Sequence, residues 1–148
     1  YVDENYDYDS YDMIGISGGG WATVLYSAID NSISQTYSVA GSFPFYWRDE
    51  IKHLGDYEQI NSELYKNANY LELYIMSSYG KDRKLVQIFN KFDPCCFSGE
   101  SFLSYKDEIK NRVFILEDGK FEIFLDESHN EHKISDQSLQ FIHENLIK

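Results

Sequence analysis

A short apolar run, Met13-Ile-Gly-Ile16, leads straight into Gly15-Ile-Ser17-Gly-Gly19, and a helix-forming segment follows at once. That order constrains the backbone more than any other feature of the chain. A serine on a tight strand-to-helix turn is held in a strained conformation, and its neighbours must lack the side-chain carbon that would obstruct the turn. Gly15 and Gly19 are expected to give that room. Ser17 would then stand above the end of a sheet, with the Gly18 amide aimed where an oxyanion forms during acyl transfer. The same letters also fit a glycine-rich turn that merely joins strand to helix, so the remainder of the chain has to decide.

Downstream segments supply an acid and a histidine in the order that such a serine requires. Lys84-Leu-Val-Gln-Ile-Phe89 is apolar and β-branched, a buried strand by pattern, and it ends at Asn90-Lys-Phe-Asp93-Pro94. Pro94 turns the chain out of the strand and leaves Asp93 in a loop. A further run, Phe121 to Leu125, is followed by Asp126-Glu-Ser-His-Asn-Glu-His132, and Leu139, Ile142, His143 and Leu146 then recur at helical spacing. His132 therefore lies on a loop before a last helix. Asp56 and Asp126 are the alternatives to Asp93, and His129 competes with His132. His53 and His143 are expected to be structural or exposed.

Six segments carry a resemblance: Gly15 to Trp21, Ser38-Val-Ala-Gly-Ser42, Gly55-Asp-Tyr-Glu-Gln59, Arg83 to Ile88, Phe92-Asp-Pro-Cys-Cys-Phe97 and Glu131-His-Lys-Ile134. Together they resemble the C-terminal half of bacterial α/β-hydrolase-fold proteins, over nearly the whole chain. The resemblance implies an α/β fold, a mostly parallel sheet with flanking helices from which the N-terminal strands are absent. It further implies hydrolysis of a small-molecule acyl substrate, with Ser17 as nucleophile, His132 as general base, Asp93 orienting it and Gly18 as an oxyanion donor. An ester hydrolase is the broadest expectation. A serine peptidase of the same fold and a non-catalytic hydrolase-like subunit, kept for binding or assembly, are the alternatives.

Composition narrows the field of partners. The chain has 148 residues, 43% of them hydrophobic and 17% aromatic, enough for one buried core. A formal net charge of −12 repels phosphate, so no nucleic-acid partner is expected. The apolar runs fall well short of the roughly 20 residues of a membrane helix, and neither a membrane span nor a signal peptide is expected; a soluble protein is the default, with its compartment open. Cys95 and Cys96 are adjacent and thus poorly placed to bridge one another, so free thiols are expected. His129, Glu131 and His132 beside that one pair are too sparse for a metal site, and no cofactor is implied.

Along the chain, residues 1–12 read as an acidic, tyrosine-rich connector and residues 48–83 as packing helices or a small helical insertion. Phe102 to Arg112 has a helical pattern. Val113-Phe-Ile-Leu116 and Phe121 to Leu125, joined across Asp118-Gly119, predict a hairpin. A strand at Met13–Ile16 with nothing before it in the sheet would be an exposed edge. A preceding segment of a longer chain, or a partner chain, is therefore expected to complete the sheet and to bring the second oxyanion donor.

Overall fold

The structure is a computed structural model that describes residue 5 and residues 8–48 and 50–146. Four strands, β1 (Tyr11–Ile16), β2 (Ile33–Val39), β3 (Lys84–Asn90) and β4 (Lys120–Asp126), form one sheet in the order β1-β2-β3-β4. All three pairings are parallel. Half of the acidic connector (residues 1–4, 6 and 7) lies outside the described residues, and its last two residues, Tyr11 and Asp12, already belong to β1.

Parallel neighbours need crossover connections, and helices supply them. They are α1 (Gly18–Ile29) between β1 and β2, α4 (Tyr70–Ser78) between β2 and β3, and α5 (Lys106–Ile115) between β3 and β4. Two single-turn helices, α2 (Tyr57–Ile60) and α3 (Ser62–Tyr65), precede α4, and α6 (Asp136–Leu146) closes the chain. Alternation along β3 divides the core. Leu85 and Phe89 face α1, α4 and α5, packing with Val24, Tyr70, Leu73, Tyr74, Ile109 and Val113, whereas Val86 and Ile88 join Tyr37, Val39 and Ile142 of α6.

Within residues 48–83, α4 is a packing helix. Its start is fixed by a capping box, in which Asn69 Oδ1 accepts from the Leu71 and Glu72 amides while Glu72 Oε2 accepts from the Asn69 amide at 2.7 Å. Arg83, buried, ties the lower ends of these elements together: its guanidinium donates to the carbonyls of Ser27 in α1, of Met76 and Tyr79 at the end of α4, and of Ile33 in β2. Helix C-termini leave carbonyls without partners, and one planar cation satisfies several at once.

The expected hairpin is absent. Val113 to Ile115 form the last turn of α5, and residues 120–126 pair in parallel with β3. Val113 is buried one helical turn beyond Ile109, whereas Phe114 and Ile115 are 82% and 69% exposed, so this apolar run has one buried helical face and not two strand faces. Asp118-Gly119 does turn the chain, with Glu117 and Gly119 at positive φ, but from a helix into a parallel strand.

At β1 the sheet ends. Ile14 lies in register with Tyr37 and Val86, on the face that α6 covers further along, yet it is 44% exposed. Among the described residues, nothing pairs with the outer edge of β1.

Candidate active site

Because the strands run the same way, the segments that leave β1, β3 and β4 all emerge at one rim. Ser17 follows β1, Asp93 follows β3 and His132 follows β4. Ser17 has φ 57° and ψ −125°, a conformation that non-glycine residues rarely adopt. Its amide donates to Val39 O (2.9 Å) and its carbonyl accepts from the Trp21 amide (2.9 Å), so the turn is pinned from both sides.

The glycines divide differently from the expectation. A side-chain carbon on Gly15 would collide with the Gly19 carbonyl, and one on Gly20 would lie 2.8 Å from Val39 O and 3.0 Å from Gly41 Cα. At Gly19 it would meet nothing within 4 Å. Gly15 and Gly20, not Gly19, let α1 approach the sheet. Gly18 begins α1, whose first amides have no partner inside the helix and carry its positive dipole end. This is a fitting place for an oxyanion.

Asp93 is buried, and both its oxygens are used. Oδ1 accepts from the Cys95 amide (2.8 Å), and Oδ2 is 2.6 Å from His132 Nδ1. With that nitrogen committed to the carboxylate, the proton-accepting lone pair of His132 lies at Nε2, which is buried and has no hydrogen-bond partner. No hydrogen bond joins it to Ser17 Oγ in this state; such contacts are often long without substrate. Asn90, which sequence patterning did not single out, bridges the two loops: its carbonyl accepts from the Gly99 amide and its Nδ2 donates to Lys133 O at 2.9 Å, next to His132. A polar residue at the end of an apolar strand was the available signal.

Asp126, His129 and His53 have other partners. Asp126 accepts from the hydroxyls of Ser128, Ser135 and Ser138 and from the Ser128 amide, and His129 Nε2 is 3.6 Å from it. Burial alone would raise the Asp126 carboxyl, but these donors outweigh it and hold the group down at about 2. Asp126 therefore anchors the loop that carries His132 to the start of α6. Asp56 precedes α2 and comes near Gly18, with its Oδ2 3.8 Å from where a Gly18 side-chain carbon would lie. His53 is buried and its Nδ1 accepts from the Phe97 amide (2.9 Å), a structural role, and His143 is exposed.

The expectation of free thiols is corrected: Cys95 and Cys96 are joined by a disulfide between neighbours, and neither is free. His132 lies close to the pair. Their sulfurs and a ring nitrogen of His132 lie within 4.8 Å of one another, because the loops after β3 and β4 meet at the rim.

Solved structures share the fold of this chain. A provisionally named dienelactone hydrolase from Klebsiella pneumoniae aligns over 99% of this chain with a TM-score of 0.56 and 9% identity. An acylaminoacyl peptidase from Pyrococcus horikoshii aligns over 95% with a TM-score of 0.57 and 18% identity. An acylaminoacyl peptidase in complex with Z-Gly-Gly-Phe-chloromethyl ketone aligns over 99%, with a TM-score of 0.54 and 16% identity. This is part of an α/β-hydrolase fold. The chain spans 53% of the length of the first structure and 23% and 24% of the other two. No family model matches the chain, and no curated protein matches it significantly. At these identities, the likeness establishes the α/β-hydrolase fold and leaves substrate and residue roles open. Among the described residues, no helix is long and apolar enough to cross a membrane.

Proposed function

We propose that this chain is the catalytic part of a serine hydrolase acting on an ester-type acyl substrate. Ser17 Oγ attacks the acyl carbon while His132 Nε2 takes its proton and later gives it to the leaving group. Asp93 holds the imidazole in the tautomer that leaves Nε2 free and stabilises the charged ring. The Gly18 amide donates to the oxyanion. One observation carries most weight: a buried carboxylate 2.6 Å from Nδ1 and a partnerless Nε2, on the rim that bears the strained Ser17 turn.

The open flank of β1 supports a second element of the proposal. An edge of β1 that no strand among the described residues pairs and a half-exposed Ile14 are costly in water, so we infer that a further strand, from the same polypeptide or a partner, pairs along β1. That part would also bring the second oxyanion donor. Lacking one such donor typically costs on the order of 10²- to 10³-fold in rate.

A fluorophosphonate probe tests the chemistry. Stoichiometric labelling at Ser17, lost in Ser17→Ala, is expected of the complete assembly; no labelling there would favour a binding or assembly role. Comparing ester with amide substrates separates an esterase from a peptidase.

A further inference from the structure

The rim holds two sulfurs that serine hydrolysis does not use, next to the histidine that it does. Cys95 and Cys96 sit two and three residues beyond Asp93, and their sulfurs lie with a His132 ring nitrogen inside a 4.8 Å span. Nδ1 is taken by Asp93, which leaves Nε2, buried and without a partner, as the nitrogen free to bind. A carboxylate on the far nitrogen is also what orients metal-binding histidines and raises their basicity. Two sulfurs and an imidazole suit zinc.

Around a tetrahedral zinc, ligand atoms stand about 3.5–3.8 Å apart, from Zn–S bonds of about 2.3 Å and Zn–N bonds of about 2.0 Å. To reach these distances the two bonded sulfurs must separate and turn toward Nε2, which reduction of the disulfide allows. The disulfide blocks that state, since its sulfurs carry no thiolate charge. Cys95 is exposed, so a reductant can reach the pair.

We propose that reduction of the Cys95–Cys96 disulfide creates a Zn²⁺ site composed of both thiolates and His132 Nε2, and that the bound ion shuts off Ser17 chemistry by occupying the base. In the first step, a dithiol of the thioredoxin class passes two electrons and two protons to the pair and becomes a disulfide itself. In the second, Zn²⁺ displaces the two thiol protons and binds the neutral imidazole, whose Nδ1 proton stays toward Asp93. The binding half depends only on the cluster, whereas the inhibition half rests on the hydrolase function proposed above.

Cobalt(II) reports on the binding half without any activity. Protein reduced with a phosphine under anaerobic conditions should bind one Co²⁺, with a thiolate-to-cobalt charge-transfer band and the visible bands of a tetrahedral ion, and Zn²⁺ should displace it. Oxidised protein should show neither band. Cys95→Ser, Cys96→Ser and His132→Gln should each weaken binding at least 100-fold, with circular dichroism confirming that each variant folds. If reduced wild type binds Co²⁺ no more tightly than the double Cys→Ser variant, or if His132→Gln binds as wild type does, the site is refuted. For the inhibition half, Zn²⁺ should slow fluorophosphonate labelling of the reduced protein at least tenfold, reversibly with a chelator, and leave the double Cys→Ser variant unaffected. Labelling that reduction alone changes, or that bound Zn²⁺ does not change, overturns this half. If metal-free oxidised protein and the double Cys→Ser variant both fail to label, the hydrolase proposal fails, and the cobalt result stands by itself.

Discussion

Replacing Asp126 with asparagine would separate the role of the loop anchor from that of the acid at Asp93. Asp126 Oδ1 accepts from the Ser128 hydroxyl and amide, and Oδ2 accepts from the hydroxyls of Ser135 and Ser138. Asparagine can keep only one of these oxygens. If its NH₂ faces Ser128, it opposes a backbone N–H that cannot turn away; if it faces the other pair, the Ser135 and Ser138 hydroxyls must turn to accept from it and give up the charge-assisted bonds they donate to the carboxylate. A buried donor without an acceptor costs about 1–3 kcal/mol. The depressed carboxyl, which reflects the same contacts, gives a figure of the same order. A folded-state value of about 2, against about 3.9 in the unfolded chain, corresponds to about 2.5 kcal/mol.

The sign follows from linkage. Because the folded value is lowered, the contribution is complete above about pH 5 and drains away as pH falls through about 4 toward 2. Urea denaturation of wild type and Asp126→Asn at a series of pH values should therefore give curves separated by about 2 kcal/mol at pH 7 that converge toward pH 2. Parallel curves, or a difference at pH 7 below about 0.5 kcal/mol, would refute the assignment of Asp126 as an ionised anchor.

Two further substitutions probe the turn and the pair. Gly20→Ala should destabilise the fold by about 1–3 kcal/mol, since the added carbon meets the Val39 carbonyl, whereas Gly19→Ala, pointing into open space, should leave the denaturation midpoint nearly unchanged; equal midpoints would contradict the close approach of α1 to β2. Asp93→Asn should lower the fluorophosphonate labelling rate by about 10⁴-fold while labelling stays at Ser17, and a rate within tenfold of wild type would show that His132 does not depend on this carboxyl.

What the linear sequence determined is what neighbouring residues determine. The apolar run into Gly15-Ile-Ser17 dictates a strand that breaks into a helix with Ser17 at positive φ, because only local sterics are involved. The apolar and β-branched run Leu85 to Phe89 marks β3 in the same way, and Pro94 marks the loop that carries Asp93. At 113–116 local pattern misleads: β-branched and aromatic residues have strand propensity, but burial of Val113 beside Ile109 settles them as helix. The choice of His132 over His129 as partner of Asp93 was decided in three dimensions, where Asn90 and the Asp126 serines fix the path of the loop. The same holds for the cysteine pair. Thirty-six residues separate Cys96 from His132, and the two meet only because β3 and β4 run in parallel side by side and release both loops at the same rim.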